Sequence, residues 1–174
     1  ATGLVVKPAH DGSSIGVTKL AEPTVAALRK ALEDAAGVRG DEVLVEEYIH
    51  GREFTVAVLD GRALPVIEIR APEGDYDFNN KYFGDAVHYD CPAKLEDEAA
   101  ATLGSLCERA FAAVGARGWS RIDALQRADG SFALLEINTS PGMTPHSLVP
   151  MAARAVGMDY ADLCLKVLSL ARCD

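Results

Sequence analysis

No apolar run in the sequence approaches the roughly 20 residues a bilayer-spanning helix needs, which excludes a helical membrane protein. Basic residues are few. Seventeen Lys and Arg against 26 Asp and Glu leave a net charge of −9, a field that repels phosphate backbones and anionic lipid and argues against nucleic acid or membrane as a partner. Cysteine is scarce too: Cys91, Cys107, Cys164 and Cys173 are spaced for neither a zinc ribbon nor a dense disulfide framework, and are expected to be reduced thiols of a cytoplasmic protein. No charged segment followed by an apolar core suggests a signal peptide. His10, His50, His88 and His146 lack metal-ligand spacing, and neither a Gly-x-Ser-x-Gly elbow nor a Cys/His arrangement suggests covalent catalysis. Repeats and low-complexity tracts are absent as well.

What is present is ordinary globular material, 174 residues of which 49% are hydrophobic, enough for a real core in one domain or two small lobes. The chain opens at Ala1 and enters the strand-forming run Leu4-Val5-Val6 almost at once, so it reads as a piece of something longer.

Strand signals occur at residues 4–7, at Val17-Thr18 and at 42–49, the last with Glu46 and Leu44 on one face and a hinge expected near Gly51. Between them, Val25, Leu28 and Leu32 predict a helix over 23–36 that Gly37 should end. Asp60-Gly61 closes a predicted hairpin of 52–59 with 62–70, and Asp129-Gly130 a second one of 119–127 with 131–138. The segment 71–92 has no period and is expected to be a functional lid. Helical spacing returns over 95–114, 148–156 and 160–171.

A two-residue turn at Asp129-Gly130 would put Asp123 opposite Glu136 and Arg121 opposite Asn138, all on one sheet face. Two carboxylates about 5 Å apart repel. A divalent cation held by Asp123, Glu136 and Asn138 would relieve them, and the fixed charge of Arg121 beside it suits phosphoryl transfer; a solvated acidic face is the alternative. The loop 10–16 after Lys7 has the small and hydroxyl residues of a phosphate cradle but not the Gly-Lys-Ser/Thr ending of a P-loop, and an ordinary turn remains open. Glu46 could accept from a nucleobase amine or ribose, or be merely exposed. Lys81, beside Tyr82, could reach a γ-phosphate from a closing lid, or lie in a surface loop.

Together, V-K-P-A-H-D-G-S-S-I-G, V-E-E-Y-I-H-G-R-E-F-T-V, K-Y, G-W-S-R-I-D and L-E-I-N-T-S-P-G-M-T-P-H-S-L-V-P-M-A-A resemble, in order, the D-alanine:D-alanine ligases of the ATP-grasp superfamily. The resemblance implies an α+β ATP-grasp fold, antiparallel sheets with flanking helices in two lobes clamping nucleotide. Residues 1–50 would be the second half of the small ATP-binding lobe and 51–174 the C-terminal lobe with the lid, the family's N-terminal domain being absent from this chain. The implied reaction joins two D-alanines for peptidoglycan: ATP phosphorylates the first carboxylate, and the second amine attacks the acyl phosphate.

Carried over by position, Lys7 would bind the α and β phosphates, Glu46 and Ile49 the adenine, Glu53 the ribose and Lys81 the γ-phosphate. Ser13 would close on substrate, held by Tyr82. Asp123, Glu136 and Asn138 would ligate two Mg²⁺ (or Mn²⁺) ions, Arg121 and the Gly142 amide would stabilise the tetrahedral oxyanion, and Ser147 with the Leu148 amide would take the second D-alanine's carboxylate. The resemblance also implies a bacterial cytoplasmic enzyme, homodimeric at full length, and an isolated chain without ligase activity.

Glu47, Ile49 and Phe78-Asn79-Asn80 depart from the family's usual residues. A D-alanine:D-lactate or D-alanine:D-serine ligase, a non-catalytic nucleotide-binding module and another ATP-grasp carboxylate-amine ligase stay open. Tyr82 argues against the lactate type, intact Arg121, Asp123, Glu136, Asn138 and Ser147 against the module, and the S-P-G-M-T-P-H-S-L run against the third.

Overall fold

A computed structural model describes residues 3–10, 12, 14–39, 42–70 and 87–172. They fall into two compact units, one reaching His50 and the other comprising Gly51–Arg70 and the chain from His88 onward. The expected α+β class is observed, as antiparallel sheets flanked by helices. No helix among the described residues is long and apolar enough to cross a membrane.

In the first unit, β1 (Leu4–Pro8) lies between β2 (Thr18–Leu20) and β3 (Val43–Glu47), antiparallel to both. Helix α1 (Val25–Arg39) covers one face, where Ala31 and Ala35 bury against Val6 with Leu20, Leu28 and Leu32 around them. Its start is set by Thr24, whose hydroxyl accepts from the Ala27 amide at 3.1 Å. The helix does not stop at Gly37, as the sequence suggested. A terminating glycine needs positive φ; Gly37 is not among the residues that have it, so the helix carries the glycine at a cost of about 1 kcal/mol relative to Ala.

The second unit is built on a six-stranded sheet. Strands β7 (His88–Asp90), β6 (Ile67–Arg70), β4 (Glu53–Leu59), β8 (Trp119–Gln126) and β9 (Phe132–Asn138) follow one another across it, with β5 (Arg62–Ala63) paired to the end of β4. Alternation along β4 and β8 makes both faces apolar. Phe54, Val56, Val58, Ile122 and Ala124 bury against Leu103, Cys107 and Phe111 of α2 (Asp97–Ala113). On the other face, Ala57, Leu59 and Ile67 meet Val149, Ala152 and Ala153 of α3 (Leu148–Ala155) and Leu163 of α4 (Tyr160–Leu170). Each large side chain so buried contributes about 1.5–3 kcal/mol of transfer free energy.

Four further details refine the sequence reading. The run 62–70 is two strands, because the chain breaks at Leu64-Pro65 and proline has no N–H for a ladder. The end of the expected lid segment is strand: β7 pairs with β6, a three-residue edge too short to show a period. Gly51, at the boundary of the two units, is also required by close approach, since a Cβ there would stand 1.7 Å from the Gln126 carbonyl oxygen.

The fourth concerns the two Asp-Gly turns, which differ. Asp60 and Gly61 both have positive φ (55° and 74°) and form the expected two-residue loop. At Asp129-Gly130 only the glycine does, and Arg127 bonds Ser131, so the loop has three residues. The extra residue is taken back in β9 by a bulge facing Asp123 and Ala124.

Candidate active site

Beyond the bulge the ladder pairs Asp123 with Glu136 and Arg121 with Asn138, the expected register reached by a different route. Asp123 is buried, at 6% exposure, and its neighbours hold it closely. Arg121 donates from Nε to Oδ1 at 2.9 Å and from Nη2 to Oδ2 at 2.8 Å, and Thr55 donates its hydroxyl to Oδ1 at 2.6 Å. The same Nη2 lies 3.9 Å from Glu136 Oε1, whose side chain is about half exposed at 49%. The opposed carboxylates thus share a cation within the protein itself, the guanidinium of Arg121.

Among the described residues no three His, Cys, Asp and Glu side chains converge as a closed metal site. The donor set nevertheless fits magnesium or manganese. Two carboxylates and the amide of Asn138 are hard oxygen donors, and Mg²⁺ is usually held by one or two carboxylates with phosphate oxygens and water completing the shell. Asn138 Oδ1 accepts from the Ser140 amide at 3.1 Å, which orients the side chain at the end of β9.

The loop after β9 leads into α3. Ser147 occupies the N-cap position, but its Oγ accepts from the Thr144 amide at 3.0 Å and lies 2.9 Å from the Thr144 hydroxyl instead of capping the helix. A Cβ at Gly142 would come within 3.1 Å of that Oγ, so these two expected site residues are neighbours and the glycine leaves the serine room. The loop is tied down by Tyr160, donating to the Met143 carbonyl at 2.6 Å, and Arg154, donating to that of Pro145 at 2.7 Å. Leu148 opens α3 half-buried against the Val149 cluster. Glu53 begins β4 half-buried, between Ile69 and Leu125.

In the first unit, Lys7 and Glu46 project from the sheet face opposite α1 and form an ion pair at 2.7 Å, a contact the sequence reading did not foresee. Ile49 follows β3 and is half-buried. Ser13, Lys81 and Tyr82 lie outside the described residues. Thr55 is the site residue that sequence reasoning missed. Its one signal was a polar β-branched residue among the apolar positions of E-F-T-V-A-V-L.

These folds and this constellation define an ATP-grasp chain: solved structures of that fold superpose on nearly all of it. The D-alanine–D-alanine ligase from Bacillus anthracis matches with a TM-score of 0.81 at 32% identity, over 97% of this chain and 54% of the other. The VanG D-Ala:D-Ser ligase from Enterococcus faecalis matches with 0.81 and 32%, over 97% and 49%. The family model for the D-ala D-ala ligase C-terminus matches residues 2–169, and the chain belongs to that family. A curated D-alanine–D-alanine ligase from Bordetella petrii is 52% identical over 98% of this chain. The chain spans 52% of that relative's length.

Proposed function

We propose that this chain supplies the metal-binding and intermediate-stabilising part of an enzyme that joins two D-alanines with ATP, for peptidoglycan precursors in the bacterial cytoplasm. The observation that supports it best is the row of Arg121, Asp123, Glu136 and Asn138 on one sheet face, in a chain whose family match spans residues 2–169. In this reading Asp123, Glu136 and Asn138 would hold two Mg²⁺ or Mn²⁺ ions, whose charge would offset that of the ATP phosphates. Arg121 leaves Asp123 to hold the phosphoryl group and, with the Gly142 amide, the oxyanion formed when the second amine attacks.

Ser147 and the Leu148 amide bind the carboxylate of the incoming D-alanine at the start of α3. Lys7 exchanges Glu46 for the phosphates, freeing Glu46, with Ile49, for the adenine; Glu53 takes the ribose. Ser13, Tyr82 and Lys81 act in closure over the substrate. Residues 1–50 belong to the small ATP-binding lobe and the remainder to the C-terminal lobe, with the lid ahead of β7. The enzyme works as a homodimer. A D-serine-accepting variant is the second reading, because the VanG ligase is structurally as similar as the Bacillus anthracis enzyme.

The test is a hybrid in which residues 1–174 replace the matching half of the Bordetella petrii ligase, assayed for ADP and dipeptide with D-alanine and Mg²⁺. Formation of D-alanyl-D-alanine is expected. Preference for D-serine as second substrate would move the assignment to the second reading, and a folded hybrid that binds ATP but ligates neither would overturn both.

A further inference from the structure

Four strands place Ile67, Thr55, Asp123 and Glu136 in one row, each directly opposite the next. Thr55 is the polar member on the inner side, 1% exposed, while Glu136 is on the solvent side. Its hydroxyl has one proton to give and two acceptors near it: Asp123 Oδ1 at 2.6 Å and the Ile122 carbonyl at 3.4 Å. The shorter contact, to a charged oxygen, takes the proton.

We infer that Thr55 is a positioning residue: it clamps Oδ1 of Asp123 so that the carboxylate keeps its orientation when the Arg121 guanidinium lets go of it. This rests on the reading of Asp123 as a metal ligand. Arg121 and Thr55 hold the same oxygen in different ways. The arginine side chain is long and reaches past Asp123 to within 3.9 Å of half-exposed Glu136, whereas the threonine hydroxyl sits on a short, β-branched stem fixed in the middle of the sheet.

If Arg121 must turn to substrate during the reaction, Asp123 loses both guanidinium contacts at once, and Thr55 remains to stop it rotating away from Glu136. Groups that orient a metal-binding carboxylate in this way typically change metal affinity by about 10–100-fold when removed. A purely structural threonine would change stability and leave affinity alone.

Mn²⁺ uptake by the 174-residue chain in the presence of ATP, followed by electron paramagnetic resonance at millimolar metal, separates the cases. Thr55→Val keeps the shape and removes the donor; it should weaken Mn²⁺ binding by about 10-fold or more, while Thr55→Ser restores it to within about 2–3-fold. Asp123→Asn, run alongside, should abolish the same binding. Thr55→Val with wild-type affinity where Asp123→Asn has lost it overturns the role of Thr55 alone. Thr55→Ser as impaired as Thr55→Val also overturns it, since the hydroxyl would not be the operative group. A wild-type chain that takes up no Mn²⁺, or Asp123→Asn without effect, overturns the metal reading and this inference with it.

Discussion

Arg121→Met retains much of the apolar stem and removes the guanidinium that meets Asp123 at 2.9 and 2.8 Å and Glu136 at 3.9 Å. Asp123, at 6% exposure, then faces Glu136 with Thr55 still donating but without the cation. Removing one partner from a buried ion pair costs about 3–5 kcal/mol, and because the Arg121 side chain is 18% exposed the lower end applies, about 3 kcal/mol. In a chain of this size each kcal/mol moves Tm by about 2–4 °C, so a drop of about 6–12 °C is expected. Adding Asp123→Asn removes the stranded charge and keeps an oxygen for the Thr55 hydroxyl. The double variant should recover at least half of the loss, because neutralising both members of a pair costs much less than stranding one. Thermal unfolding followed by circular dichroism at pH 7, with chelator present, reads all three proteins. A double variant that melts at or below the single one would refute the reasoning.

Two further outcomes concern the opposite face of the same sheet. Arg52 donates to both oxygens of Glu68 at 2.8 Å, and this hydrogen bonding, against the opposing effect of burial, holds the Glu68 carboxyl below the usual carboxylate range. A depressed folded-state value means that the stabilisation is complete above the unfolded value near 4.5 and disappears as pH falls through the folded one. The urea midpoint of the wild type should therefore fall more steeply between about pH 4.5 and 3 than that of Glu68→Gln, and parallel curves would count against the pair. Burial pushes the Cys107 thiol up to about 12, with Asp123 and Glu108 adding to the effect. In the native protein at pH 8, iodoacetamide should label half-buried Cys164 well before Cys107, as read by mass spectrometry; equal rates would contradict the burial of Cys107 in the α2 core.

The hairpin carrying Asp123 shows how far the sequence could be read and where local signals ran out. Asp-Gly is a strong hairpin mark, yet it does not say how many residues the loop will hold. At Asp129 the side chain accepts from the Ser131 amide and hydroxyl at 2.9 and 2.7 Å, favouring the longer loop, and no such serine follows Gly61. The compensating bulge was written in F-A-L-L-E-I-N. Phe132 and Leu134 pack on the same core as Ile137, so the two-residue alternation slips once between them. The opposition of Asp123 to Glu136 was expected from a two-residue turn and holds only because the extra loop residue and the bulge cancel, while Arg121 as the shared cation was not legible, because a side chain's direction along a face is decided by its neighbours. Thr55 was hidden for a similar reason. Its partner lies 68 positions away, and a threonine in a strand usually reflects nothing more than β propensity. The main helices and most strands were readable from their periodicity and turn signals, whereas the end of α1 was misplaced because Gly37 carries no mark of the φ it will adopt.

The bulge in β9 makes the hairpin tip independent of the chemistry at its base. A register normally propagates rigidly from a turn, so that one added residue would send Glu136 to the opposite face. Here that displacement is cancelled between Leu134 and Glu136, before the strands reach Asp123. The tip, exposed at Ala128, Asp129, Gly130 and Ser131, is thus a place where the chain has slack. Changes in loop length there can be absorbed by keeping or losing one irregularity, which opens to insertion and deletion a segment only a few residues from carboxylates whose own positions leave none.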